Sequence, residues 1–136
     1  MTVWTIQWAA HAIGLWMGDT LRQENLSQGE AHVMAYLTLT GGCAMNDLHR
    51  HFGHRRSTLT NLVDRLEARA LLTRKPHPQS RRSVMVEPTA TGRQSGEIIL
   101  ARLREVDAWV REATAPEDRS GFRRVTESIW GLVHER

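Results

Sequence analysis

The amino-acid sequence predicts a mainly α-helical fold with one small β-hairpin. Apolar residues recur at helical spacing through most of the 136 residues. The helical period stops between about residues 71 and 88, where a turn-forming segment separates two short strand-like stretches. A hydrophobic fraction of 40% is sufficient for one packed domain, either alone or with an extension for dimerisation.

Four helices are predicted in the first half of the chain. The first covers about residues 2–24, where tryptophans recur at helical spacing, and the second begins at a capping box formed by Ser27 and Glu30. A short helix at about residues 45–52 and a longer one at about residues 55–70 follow. The side chains predicted to pack inward from the last three helices are Val33, Met34, Leu37, Leu48, Phe52, Leu59, Leu62, Val63 and Leu66.

A hairpin and two further helices are predicted in the second half. The strands are "LLTRKP" and "SVMVEP", and we expect Pro76 and Pro78 beside the turn to limit the ladder between them. Thr89 is predicted to cap a helix at about residues 90–113, and "TAPED" is typical of the start of another helix. The side chains predicted to pack inward from these helices are Ile99, Leu103, Val106, Val110, Phe122, Val125, Ile129 and Leu132.

Positive charge is concentrated in residues 50–82. This segment has nine basic and two acidic side chains, a net charge of +7, whereas the whole chain has a net charge of +3. The basic residues are Arg50, Arg55, Arg56, Arg65, Arg69, Arg74, Lys75, Arg81 and Arg82. A basic block in an otherwise mildly acidic chain indicates a polyanionic partner, with a solvated charged face as the alternative.

Two short helices followed by a basic hairpin form a winged helix-turn-helix. In such a unit the second short helix enters the DNA major groove, and the hairpin lies along the neighbouring minor groove. We therefore interpret the basic block as a surface for double-stranded DNA.

The winged segment resembles the MarR family of bacterial transcriptional regulators over about residues 26–93. The stretches that carry the resemblance, in order and spacing, are "LSQGEAHVMAYL", "NDLHRHFG", "STLTNLVDRLEARALLTR" and "SRRSVMVEPTATGR". The resemblance implies a homodimer in which residues 1–26 and 90–136 form a helical dimerisation region and residues 27–89 form the DNA-binding domain. It also implies a regulator, which we take to be a repressor of its own or a neighbouring gene.

The polar face of the fourth helix is predicted to read DNA bases. Its Ser and Thr side chains suit either base type, and Asn61 suits bidentate bonding to adenine, while Arg55 and Arg65 are expected to hold phosphates. The resemblance implies that Arg82 enters the minor groove. The predicted DNA-binding residues are Arg55, Arg56, Ser57, Thr58, Thr60, Asn61, Arg65, Arg74, Lys75, Arg81 and Arg82.

Three positions depart from the pattern of the family. Ala70 stands where the family usually has Gly, and because Ala disfavours a left-handed cap, we expect the fourth helix to end differently. Ser80 replaces an Asp that orients the wing arginine, so we expect Arg82 to be less firmly held. Pro88 stands where the family tends to have Leu.

The histidines are candidates for a metal site, and the single cysteine is a candidate for a redox-sensing site. His49, His51 and His54 lie within six residues, but the first two point about 200° apart on a helix, which disfavours a shared metal. Phosphate-facing or solvated histidines are the favoured interpretation. We expect Cys43 to be a small buried residue and not a redox sensor.

A small-molecule effector is a further expectation from the resemblance, because the family often binds aromatic acids or phenolic compounds. Trp8, His11, Trp16 and Tyr36 are the candidate ligand-binding residues. An apolar stripe of this kind is more typical of a core or a dimer interface, which we favour.

No motif of an enzyme is found, whether a nucleophile elbow, a phosphate-binding loop or H-E-x-x-H. We expect no catalytic residues, no cofactor, no metal, no membrane span and a cytoplasmic location. Alternative interpretations are a metal-binding protein or zinc hydrolase built on the histidines, and a DNA-independent module that binds an acidic protein. Our interpretation is a dimer that binds a pseudo-palindromic operator with half-sites about 10 base pairs apart.

Overall fold

The computed structural model of the chain describes residues 1–53 and 55–134, without the side chain of His134. The elements in chain order are α1 (Thr2–Glu24), α2 (Gln28–Thr40), β1 (Cys43–Ala44), α3 (Met45–Phe52), α4 (Arg56–Ala68), β2 (Leu72–His77), β3 (Ser80–Pro88), α5 (Ala90–Ala113) and α6 (Pro116–His134). The predicted mainly α-helical fold with a hairpin wing is confirmed.

The predicted caps fix the starts of α2 and α5. The Glu30 N–H donates to Ser27 Oγ at 3.1 Å, and the Ser27 N–H donates to Glu30 Oε1 at 3.2 Å, which completes the capping box. The Gly92 N–H donates to Thr89 Oγ1 at 3.0 Å at the start of α5. Local hydrogen bonds therefore set both helix boundaries where the sequence placed them.

The sheet has a third strand that the sequence did not reveal. Strand β1 has only two residues, and Cys43 pairs with Val86 while Ala44 pairs with Met85. The strand order is β1-β3-β2, so the wing hairpin is joined to the segment before α3. Two residues are too few to show an alternating pattern, which explains why the strand was missed.

The wing ladder extends further than Pro76 was expected to allow. Pro76 pairs with Val84, and after an irregularity in register His77 pairs with Ser80. Strand β2 lies at the edge of the sheet, where a proline without an N–H is tolerated. The hairpin is therefore longer, and its tip tighter, than the sequence indicated.

The expectation that α4 ends without a left-handed residue was wrong. Ala70 has a φ of 56°, and its N–H donates to the Glu67 carbonyl at 2.9 Å. The Leu71 N–H donates to the Leu66 carbonyl at 3.0 Å, which completes a Schellman motif. Leu71 is buried, so hydrogen bonds and apolar burial together outweigh the steric cost of Ala in this conformation.

The core of the first compact unit, Met1–Arg102, lies among α2, α3, α4, the sheet and the start of α5. The largest fully buried side chains are Met34, Leu37, Leu48, Leu59, Leu66, Leu72, Ile99, Val33, Val63 and Val86. A Cβ on Gly92 would lie 1.8 Å from the Leu71 carbonyl oxygen, and one on Gly96 would lie 1.9 Å from Thr38 Oγ1. The start of α5 therefore packs within this unit at a distance that only glycine permits.

The inward positions predicted on α2–α4 are buried, except for half-buried Phe52, but those on α5 and α6 are confirmed only in part. Ile99 is buried, Leu103, Val106 and Ile129 are half-buried, and Val110, Phe122, Val125 and Leu132 are exposed. The last four belong to the second compact unit, Leu103–Arg136. On α1, Trp4, Trp8 and Leu15 are likewise exposed.

Candidate nucleic-acid interface

Helix α4 presents one apolar and one polar face, as the sequence predicts. Leu59, Leu62, Val63 and Leu66 are buried and hold the helix against the first unit. The exposed face carries Ser57, Thr58, Thr60, Asn61, Asp64 and Arg65. Arg55 was predicted to lie within the helix, but it is the N-cap and lies just before the first helical residue. The short side chains on the exposed face leave the helix backbone accessible to a groove.

The wing presents two arginines directly after its tight tip. Arg81 and Arg82 on β3 are both exposed, and neither has an acidic partner within residues 1–53 and 55–134. Ser80, which stands at the position of the family's Asp, has its hydroxyl 3.5 Å from the hydroxyl of Ser83. A serine hydroxyl carries no charge with which to orient Arg82.

Ion pairs divide the basic block into two groups. Four of its nine cations have acidic partners: Arg50 pairs with Asp47, Arg69 with Glu30, Arg74 with Asp64 and Glu67, and Lys75 with Glu87. In the described part of the chain, five have none: Arg55, Arg56, Arg65, Arg81 and Arg82. Within the basic block, the arginines without acidic partners therefore lie on α4 with its N-cap and on the wing.

Arg74 has ion pairs that the sequence did not indicate. Its Nη1 lies 3.2 Å from Glu67 Oε1, its backbone N–H donates to Glu67 Oε2 at 3.2 Å, and its Nη2 bonds to Asp64. These contacts join the base of the wing to α4. The pairs cross a turn and so have no helical spacing that would have revealed them in the sequence.

The four candidate ligand-binding residues have different surroundings in the single chain. Trp8 and His11 are exposed, Trp16 lies under the Arg102 guanidinium at 4.2 Å, and Tyr36 stacks on His51 at 4.1 Å between ring centroids. A separate cavity of about 350 Å³ includes none of them. Its lining residues are Leu21, Arg22, Asn25, Leu26, Ser27 and Glu30.

Cys43 lies in a setting that disfavours a reactive thiol. Burial first, and the negative charge of Asp47 second, raise the pKa of the Cys43 thiol to about 11. The thiolate is the nucleophilic form, so a raised pKa lowers its population at neutral pH. The cysteine is half-buried, slightly more exposed than predicted.

The described residues contain neither a metal-binding cluster nor a membrane-spanning helix. Within them, no group of three or more His, Cys, Asp or Glu side chains could hold a metal ion, and His54 of the predicted cluster lies outside them. None of their helices combines the length and apolar character that crossing a bilayer requires.

The fold and the exposed basic surface define a winged helix-turn-helix protein. Residues 26–84 match the model of the MarR family, which confirms the resemblance over the winged segment. The match covers the winged segment, from the last residues before α2 to the second strand of the wing. Comparison with curated proteins gives no match.

Solved structures share the fold along nearly the whole chain. MepR of S. aureus in its DNA-binding conformation is 18% identical, with a TM-score of 0.86 over 97% of this chain and 98% of that chain. The transcription regulator MarR from Oenococcus oeni PSU-1 is 18% identical, with a TM-score of 0.84 over 95% and 98%. NadR in complex with 4-hydroxyphenylacetate is 23% identical, with a TM-score of 0.79 over 93% and 89%.

Proposed function

We propose that this chain is a sequence-specific transcriptional regulator that binds operator DNA as a homodimer. The observation that carries the proposal is the distribution of unpaired charge within the basic block: in the described residues, its five arginines without acidic partners lie on α4 with its N-cap and on the wing. These are the two elements that a winged helix-turn-helix brings to DNA.

In the proposed complex, α4 reads bases and the wing contacts the backbone and the minor groove. Thr58, Thr60 and Asn61 face base edges in the major groove, where short side chains permit close approach. Arg55 and Arg65 neutralise phosphates, and Arg82 enters the minor groove. Arg74 and Lys75 support the wing through their ion pairs and make no phosphate contact.

The proposed dimer is supported by exposed apolar side chains on the terminal helices. Trp8 is 75% exposed and Phe122 is 55% exposed, and neighbouring residues of α1 and α6 are similarly uncovered. Exposed apolar surface of this extent is typical of an interaction site. We assign residues 1–26 and 90–136 to dimerisation and residues 27–89 to DNA binding, so a two-fold dimer requires a pseudo-palindromic operator.

As a regulator of this type, the dimer would act in the cytoplasm as a repressor that occupies a promoter of its own or a neighbouring gene. We further propose an aromatic acid or phenolic effector near Trp8, His11, Trp16 and Tyr36, with the partner copy completing the pocket. NadR, which shares the fold, was solved with such a compound. An effector releases DNA only if it binds one spacing of the two DNA-binding domains better than the other.

Fluorescence anisotropy with labelled duplexes tests the proposal. The DNA upstream of the gene is compared with scrambled DNA at several salt concentrations, using the wild type, Arg82→Ala and the control Arg22→Ala. Arg22 is an exposed arginine of α1 that pairs with Asp19. We expect preference for the upstream DNA, weakened by Arg82→Ala and unchanged by Arg22→Ala. Equal weak binding of both duplexes by all three proteins would count against the proposal.

A further inference from the structure

The end of the recognition helix α4 is tied to the end of α1 by one arginine. Arg69, the C-cap of α4, donates from Nη2 to the Glu24 carbonyl at 3.2 Å and from Nη1 to the Asn25 carbonyl. Its Nη1 also lies 3.9 Å from Glu30 Oε2. Both carbonyls belong to the C-terminus of α1, where Asn25 is the left-handed cap.

This contact is favourable for both helices. The last carbonyls of a helix have no partner within the helix, and their partial negative charge attracts a cation. A guanidinium presents several donors in a fixed planar fork, so it can bind two adjacent carbonyls at once. The Arg69 side chain is only 35% exposed, and its donors face protein atoms. Arg69 therefore differs from the five free arginines of the basic block.

A second set of contacts joins the end of α1 and the turn after α4 to the start of α5. Thr89 Oγ1 donates to the Ala70 carbonyl at 2.7 Å, and the Thr89 N–H donates to the Leu71 carbonyl at 3.0 Å. Ser95 Oγ donates to the Glu24 carboxylate at 2.7 Å. We call this set of contacts the α4 junction, formed by Glu24, Asn25, Arg69, Ala70, Leu71, Thr89 and Ser95.

We infer that Arg69 is a positioning residue for DNA recognition, which acts through the α4 junction and does not touch DNA. The inference rests on the proposed function, in which α1 and α5 contribute to the dimer. Because Arg69 fixes the end of α4 to α1, it fixes the direction in which each copy presents α4. In a two-fold dimer that direction determines the half-site spacing that both copies can bind together.

Operators that differ only in half-site spacing give the first test. Half-sites are placed about 9 to 12 base pairs apart, and the wild type is expected to prefer one spacing, near one helical turn. Arg69→Ala is expected to bind that spacing about tenfold more weakly and to lose most of the preference, since two charged hydrogen bonds are removed. Arg69→Lys, which has one ammonium group in place of the fork, is expected to be intermediate.

Arg65→Ala is the matched control, because Arg65 lies one turn earlier on α4 and has no acidic partner in the described residues. It is expected to weaken every spacing by the same factor and to reduce the salt slope by about one unit. The same behaviour from Arg69→Ala would show that Arg69 binds phosphate and would overturn the inference. An unchanged spacing preference in Arg69→Ala, with or without a lower melting temperature, would also overturn it.

A measurement without DNA separates this inference from the proposed function. Spin labels are attached at Thr58→Cys in a Cys43→Ser background, and the distance between the two copies is measured by electron spin resonance. The wild-type background is expected to give a narrow distribution and Arg69→Ala a broad one, while circular dichroism shows that both are folded. Equal widths would overturn the inference even if operator binding were found. If the protein bound no DNA but the two distance distributions differed in width, only the proposed function would be overturned.

Discussion

At the scale of single residues, Asn61 is the side chain from which we expect the clearest base selectivity. It is exposed on α4, and its amide can donate to and accept from adenine at the same time. We predict that Asn61→Ala reduces discrimination at one base pair of each half-site by about 1 to 3 kcal/mol. Binding to operators substituted at each position measures the loss. Unchanged discrimination at every position would show that another face of the chain reads the DNA.

Cys43 gives a second prediction at this scale. A pKa raised from 9.0 to about 11 means that the folded protein should react about 100-fold more slowly with a thiol reagent at pH 8 than the unfolded chain does. The unfolded chain loses the thiol proton at a lower pH than the folded protein does. The contribution of Cys43 to the free energy of unfolding is therefore expected to fall as the pH rises above 9.0. Equal rates before and after unfolding in urea would contradict the burial argument.

The sequence predicted which residues of α4 and the wing are exposed but not how their charges are compensated. The polar face of α4 and the exposed wing arginines follow from helical periodicity and composition, and both were predicted correctly as exposed positions. The pairing of Arg74 with Asp64 and Glu67, and of Arg69 with the end of α1, depends on tertiary contacts. Neither pairing has a local sequence signal, so Arg74 was assigned to DNA and Arg69 had no assigned role.

At the scale of elements, the turn after α4 yields a prediction about stability. Ala70 is exposed and has a φ of 56°, which glycine adopts at little steric cost. We predict that Ala70→Gly raises the free energy of unfolding by about 1 kcal/mol in urea titration, as the steric penalty is relieved. Ala68→Gly, in the last helical position of α4, is the matched control and should lower it by about 0.5 to 1 kcal/mol.

The elements themselves were largely predictable, and their exceptions share one cause. Helix boundaries agree with the sequence where a local signal sets them, as at the capping box of α2 and at Thr89. Strand β1 depends instead on a partner distant in the chain, and the turn at Ala70 combines its local hydrogen bonds with one from the distant Thr89. A two-residue strand exists only because β3 offers it a free edge. The Ala70 turn is held in part by hydrogen bonds from Thr89, so no local propensity indicated either feature.

At the scale of the whole molecule, the terminal helices were expected to pack inward or to form a dimer interface. Exposure of Trp8, Phe122 and Leu132 in the single chain favours the second interpretation. Sequence periodicity identifies which side chains share an apolar face, but it does not tell whether the same chain or another copy covers that face. This is why several inward positions on α5 and α6 were predicted wrongly.

The dimer interpretation gives the prediction for the whole molecule. Burying an unpaired charge in the core of an interface costs free energy because the charge loses its hydration. Trp8→Glu should therefore convert the dimer to a monomer, as measured by sedimentation equilibrium. The winged segment should stay folded by circular dichroism, because Trp8 contributes little to the core of the single chain. Operator affinity should then fall to that of a single half-site, since the two half-sites are no longer linked.

Leu39→Glu is the matched control for Trp8→Glu. Leu39 is 65% exposed on α2, outside the proposed dimerisation region, and the substitution introduces the same charge. It should leave both the dimer and the operator affinity unchanged. If Trp8→Glu stayed dimeric, the exposed face of α1 would not be the interface. If it became monomeric but kept full operator affinity, the two-fold operator would be wrong, and one copy of α4 and the wing would suffice for recognition.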